Sequence, residues 1–81
     1  MRIGKLRTNL IIDLALELHL LANGRYLVPS VRKGMAISQL RVLLTINDDD
    51  EDKALSLFDS LLKRAYNLSI NETIELLDEL F

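Results

Sequence analysis

Apolar residues recur along this chain at spacings of three and four, with no sustained alternation, a pattern that predicts helices and no sheet. Four segments carry it: residues 8–22, 30–46, 51–66 and 69–81. The first contains the most apolar run, Leu10 to Leu21, interrupted only by Asp13, Glu17 and His19. At ~100° per residue, Asn9, Asp13 and Glu17 line up as one narrow polar stripe, and nearly all the remaining circumference is apolar. Such a helix is either the buried centre of a bundle or a contact surface for a second chain. Thr8 or Asn9 suits its N-cap. Asn23-Gly24 suits its stop, because glycine adopts the left-handed conformation just past a helix without penalty.

Pro29 pushes Val28 out of helical conformation, so residues 25–28 are expected to be extended or turned. Ser30 then serves as a favourable N-cap for the second helix. There Val31, Met35, Val42 and Ile46 form one stripe, Ala36, Leu40 and Leu43 widen it, and Ile37 and Leu44 carry it round. Gly34 costs about 1 kcal/mol relative to alanine in a helix interior, which points to a close backbone approach or a frayed first turn. Asn47 to Asp52 ends this helix and sets carboxylates at the positive end of the next helix dipole. The third helix is the cleanest amphipath. Ala54, Leu55, Leu57, Phe58, Leu61, Leu62, Ala65 and Tyr66 face inward, and Lys53, Ser56, Asp59, Ser60, Lys63 and Arg64 face water. Ser69 and Glu72 match a capping box and open the fourth helix, which buries Ile74, Leu77 and Phe81 with Leu76 and Leu80 alongside. Short connections make successive helices antiparallel. The expected architecture is all-α, a single domain folded as an antiparallel four-helix bundle.

Composition adds one qualification. At 49% hydrophobic residues, mostly Leu and Ile, an 81-residue chain carries more apolar surface than a domain of this size readily hides. The bundle is therefore open to completion by homodimerisation. Helices two to four cover one side of the first helix and leave Ile12, Leu16 and His19 as the expected partner interface. The absence of cysteine excludes disulfide and thiolate chemistry and fits a cytoplasmic location. No apolar run reaches the ~20 residues of a membrane span. The basic start followed by an apolar run lacks a small-x-small cleavage site, so it is not read as a secretory signal.

Charge is unevenly distributed. Residues 1–47 hold seven Lys/Arg against two acids, and residues 48–81 hold three against ten, so net charges of +5 and −7 sum to −2. Antiparallel packing brings Arg2, Lys5 and Arg7 to the end that holds Asp78 and Glu79, whose acids oppose their own helix dipole and gain from nearby cations. Arg25, Arg32, Lys33, Lys63 and Arg64 gather at the other end as the candidate anion or nucleic-acid patch.

Candidate chemistry is sparse. Asp48, Asp50 and Asp52 copy the opening of a calcium loop, but Lys53 stands where the sharp turn needs glycine, and the twelfth position, Asp59, is shorter than the usual bidentate Glu. A lone His19 makes neither a metal site nor a nucleophile–base pair. Asp13 and Glu17, one turn apart, read as a solvated stripe or as partners for a basic neighbour. Gly4, Gly24 and Gly34 are isolated, so there is no phosphate loop. No catalytic residue, metal site, cofactor or small-molecule substrate is expected. Residues 8–46 admit a helix-turn-helix reading, with Ser30-Val31-Arg32-Lys33 opening a recognition helix. However, Arg32, Lys33 and Arg41 point ~80–100° apart around that helix and make no single groove-reading face.

Residues 57–81 carry a resemblance. Leu57-Phe58, Leu61-Leu62, Ala65-Tyr66-Asn67-Leu68-Ser69-Ile70-Asn71-Glu72-Thr73-Ile74, Leu77 and Leu80-Phe81 resemble the junction of helices three and four in the small bacteriocin immunity proteins. Asn71 stands where that family often has proline. The resemblance implies a cysteine-free, cytoplasmic antiparallel four-helix bundle that protects a producer cell from its own membrane-active peptide. Three readings follow: a non-enzymatic helical interaction protein of this immunity type, a small dimeric DNA-binding regulator, and a helical adaptor with an unspecified partner.

Overall fold

The molecule is organised around its first helix. In the computed structural model, which describes residues 3–24 and 29–81, α1 spans Ile3–Ala22, α2 Pro29–Ile46, α3 Ala54–Ala65 and α4 Ile70–Leu80, with a 3-10 turn at Glu51–Lys53 leading into α3. No strand occurs among the described residues. At 20 residues α1 is ~30 Å long, about the longest dimension of the molecule, 33 Å. It touches each of the other three helices, while α2 also packs on α3. Leu14 and Leu18 of α1, Leu40 and Leu43 of α2, Phe58 and Leu61 of α3, and Leu77 of α4 meet in one core and are fully buried. The class is thus all-α, four helices packed against one another.

Two ion pairs fix helix directions. Arg7, near the start of α1, reaches the end of α4: Nη1 donates to Asp78 Oδ1 at 2.8 Å, Nη2 to the Asp78 carbonyl at 2.8 Å and Nε to the main-chain oxygen of Phe81 at 2.9 Å. One guanidinium therefore satisfies carbonyls left open at the end of α4 and offsets Asp78 at the negative end of its dipole. This is the relief that the charge pattern called for. Glu17, late in α1, accepts from Arg32 Nη1 at 2.9 Å at the beginning of α2. Hence α1 runs antiparallel to both α4 and α2.

The boundaries differ from expectation where local hydrogen bonding departs from simple capping. α1 begins at Ile3 instead of near Thr8, and the Thr8 hydroxyl bonds back to the Gly4 carbonyl at 2.9 Å inside the helix. α2 begins at Pro29, the first helical position, where a missing N–H costs nothing, so Ser30 lies within the first turn and is not the cap. The expected extended stretch at 25–28 lies outside the described residues. Gly24, at φ +68°, ends α1 as expected.

α2 ends in an unanticipated Schellman motif. The Asp49 N–H bonds to the Leu44 carbonyl at 2.9 Å and the Asp48 N–H to the Thr45 carbonyl at 3.2 Å, with Asp48 itself at φ +59°. The Asp50 carboxylate then accepts from the Asp52 N–H at 3.0 Å and caps the 3-10 turn. At α4 the capping box forms as read: Ser69 Oγ accepts from the Glu72 N–H at 3.2 Å, and the Glu72 carboxylate accepts from the Ser69 N–H at 3.0 Å. The bond from the Ser69 backbone, with help from its side chain, holds the Glu72 carboxyl below the ordinary glutamate range.

Candidate interaction surface

Every helix contributes a core face, but α1 and α2 each carry a second apolar face. At ~100° per residue, Val31, Met35, Val42 and Ile46 of α2 lie within about 60° of one another, and Ala36, Leu40, Leu43 and Leu44 lie about 120–220° round from Val31. Only the second group is buried. Val31, Met35 and Val42 are 57%, 48% and 43% exposed, so the stripe first drawn on this helix faces solvent, not the bundle. The physical reason lies in the ring of contacts around α2. Arg32 is drawn to Glu17 of α1, and Lys33 lies with its ammonium 5.7 Å from the centroid of the Phe58 ring on α3. Those two contacts turn the Ala36–Leu40 arc inward.

The same order runs around α1. Ile12, Leu16 and Leu20 fall within about 80°, Glu17 follows at about 140°, and Leu14, Leu18 and Ile11 occupy about 200–260°. Ile12 and Leu16 are 45% and 42% exposed and Leu20 is half-buried, whereas Leu14, Leu18 and Ile11 are buried. On both helices the order around the axis is outer apolar arc, ion-pair residue, core, although on α1 the exposed Lys5 and Asn9 share the outer arc at about 20° and 60° and Asp13 borders it at about 100°. Because α1 and α2 are antiparallel, matching order puts both outer stripes on one side of the Glu17–Arg32 seam, with α3 on the other. The result is a two-helix face. The 17–32 pairing sets Met35 roughly level with the span from Ile12 to Leu16, and Val42 two turns further along.

Glu17 itself is 6% exposed and paired with Arg32, so of the two expected roles, solvated stripe or partner of a basic neighbour, Glu17 takes the second. Asp13 and Asn9 remain in solvent. His19, expected beside Ile12 and Leu16, is half-buried at the edge, where its Nδ1 lies 3.4 Å from Nδ2 of Asn23, an amide that donates to the His19 carbonyl at 2.7 Å. Gln39, next to the seam on α2, has its Oε1 enclosed with no hydrogen-bond partner. The other exposed large apolar side chains, Leu55 on α3, Tyr66 just past its end and Leu80 on α4, lie on different elements, and isolated residues of that kind are ordinary surface. For Leu55 and Tyr66 this corrects the inward orientation expected of them, and for Leu80 the place expected beside the buried face of the fourth helix.

The basic residues are distributed differently from the patch the sequence outlined. Arg32 is committed to Glu17, Lys33 lies over Phe58, and Arg25 falls outside the described residues. Lys63 is exposed, and Arg64 lines an open cleft of about 210 Å³ with Leu68, Glu72, Glu75, Leu76 and Glu79. Three carboxylates against one guanidinium make that cleft unfavourable for a phosphate. Asp50, the middle residue of the calcium-loop imitation, uses its carboxylate to cap the 3-10 turn. Among the described residues no helix is long and apolar enough to cross a membrane.

Sequence reasoning reached Ile12 and Leu16 but assigned Val31, Met35 and Val42 to the wrong side. The pairing of Glu17 with Arg32 was the signal that separates the two stripes, and it links residues fifteen positions apart across a turn. Compared with known protein families, curated proteins and solved structures, the chain matches none.

Proposed function

We propose that this chain is a small, non-enzymatic helical interaction protein that receives a protein partner on the outer α1–α2 face. The observation that carries the reading is that Ile12, Leu16, Val31, Met35 and Val42, each 42–57% exposed, share one side of the Glu17–Arg32 seam. Exposed apolar residues gathered on one side in this way mark an interface where scattered ones do not. The most specific version is a cytoplasmic protein of the bacteriocin-immunity type, supported by the resemblance of residues 57–81, where the capping box between α3 and α4 is formed. A duplex-binding regulator built on residues 8–46 has less support, because Arg32 is paired with Glu17 and the exposed Lys33 lies over the Phe58 ring, so the two do not share one groove-reading face.

A photo-crosslinking residue at position 35, tested in the cells that make the protein, probes the interaction reading directly. We expect discrete adducts from position 35 and none from position 59 on the polar face of α3. Absence of adducts from position 35 contradicts the proposal. For the immunity version, expression should protect a bacteriocin-sensitive strain, and failure against every related peptide removes it. For the regulator, duplex affinity that falls steeply with salt and weakens with Arg32→Ala plus Lys33→Ala would instead favour nucleic acid.

A further inference from the structure

We propose that the partner on the outer α1–α2 face is a second copy of this chain, bound about a two-fold axis. The proposal rests on reading that face as an interaction surface. An exposed antiparallel helix pair is its own complement, because two such pairs stack into a four-helix layer with the ridges of one in the grooves of the other. A two-fold contact of this type uses the same patch twice.

Size agrees with that occupant. α2 has 18 residues and is therefore ~27 Å long, and two helices side by side are ~20 Å wide, which gives a footprint of about 540 Å² per copy. Two copies bury just over ~1,000 Å², the lower bound for a specific interface, so a reversible dimer is expected and not a permanent one.

Charge agrees as well. The outer arc of α2 between Val31 and Ile46 holds no ionised side chain, Arg32 being paired with Glu17 at the seam. On α1 the same side carries Lys5 at one end and Asp13 near the middle, both exposed and of opposite sign. Two copies therefore meet without net repulsion across the contact. An anionic lipid surface or a nucleic acid would need a cluster of cations here, whereas among the described residues this side carries Lys5, offset by Asp13, and Arg32 is paired with Glu17. The α2 half of the face is depleted of charge, as the centre of a protein interface is.

The test is sedimentation velocity on the purified full-length chain between about 5 and 500 µM. The average mass should rise from the monomer's 9.2 kDa toward twice that value. Leu16→Glu with Met35→Glu should weaken the dimer at least about tenfold, and Leu55→Glu, an equally exposed leucine on α3, should leave it unchanged. Should the double glutamate variant lose its helical circular dichroism, Leu16→Ala with Met35→Ser provides the same comparison. A chain that stays monomeric at the highest concentration overturns the proposal. So does a dimer that Leu55→Glu breaks and the outer-face variants do not. If position 35 still forms crosslinks in cells to a species of another mass, the interaction reading survives and only the second copy is excluded. If crosslinks are also absent, both fall.

Discussion

The two faces of the α1–α2 pair are built from the same kinds of residue and meet opposite fates. Leu14, Leu18, Leu40 and Leu43 are sealed beneath α3 and α4, while Ile12, Leu16, Met35 and Val42, on the same two helices, remain nearly half exposed. Hydrophobicity does not distinguish them. The difference arises because α3 and α4 are each apolar on one side only and so cover only one side of the pair, and because the Glu17–Arg32 bond pins the rotation of α1 against α2. Burial is thus a property of which neighbours are available, and a helix that is apolar nearly all round retains a second face for something else.

The largest effect should come from the same type of truncation made on either side. Leu40→Ala opens a cavity in a close-packed core and should cost about 2–5 kcal/mol. Met35→Ala, measured by urea denaturation at low micromolar concentration, should change stability by no more than about 0.5 kcal/mol. Comparable losses at the two positions would show that the faces are not distinct.

The seam between them supplies the next test. Glu17→Gln leaves Arg32 facing a neutral group in a largely enclosed site. Because the Arg32 side chain is 31% exposed and can turn toward water, the expected loss is moderate, about 1–2 kcal/mol. A double-mutant cycle with Arg32→Gln should return a coupling of about 1 kcal/mol, and a coupling near zero would mean that the pair does not set helix rotation.

These contrasts also show what was legible in advance. The capping box at Ser69 and Glu72 was readable because all its parts lie within four residues, and the Gly24 stop for the same reason. The relief of Asp78 by a cation from the chain's start followed from antiparallel topology and the sign of the helix dipole. The division of α2 into core and outer stripes was not readable. Ser30, Ser38, Arg41 and Thr45 do fall within about 80° and are exposed, but Arg32, Lys33 and Gln39 lie off that stripe, so the polar pattern alone does not say which of the flanking apolar arcs is buried. The burial of Thr73, whose hydroxyl donates to the Ser69 carbonyl at 2.9 Å, was likewise hidden, because a local backbone bond makes a polar side chain admissible in the core. Of the exposed apolar positions on the outer face, Ile12 and Leu16 were legible in the sequence and those of α2 were not.

Gly34 offers a smaller effect on the solvent side of α2. The expected close backbone approach is not found, because a Cβ there would meet nothing within 4 Å. Gly34→Ala should therefore stabilise the fold by up to about 1 kcal/mol in thermal unfolding, and a loss of stability would point to an undescribed contact.

The smallest effect lies away from both faces. The Glu72 carboxyl is held below its ordinary value by the Ser69 backbone N–H and hydroxyl, so it binds its proton less readily when folded than when unfolded. Its contribution is complete above the ordinary glutamate value of about 4.3 and is lost as pH falls through its lowered folded value. Wild type should lose stability over that acidic window slightly more steeply than Glu72→Gln. The substitution should leave self-association unchanged. Identical acid profiles would show that the capping bond does not couple to protonation.

The most direct measurement is a concentration series of methyl-resolved NMR spectra. We expect the methyl resonances of Ile12, Leu16, Val31, Met35 and Val42 to move together along one saturating curve as concentration rises, while those of Leu40, Leu61 and Leu77 stay fixed. Concentration-independent spectra, or shifts confined to Leu55 and Leu80, would contradict the assignment of the outer α1–α2 face as the contact between copies.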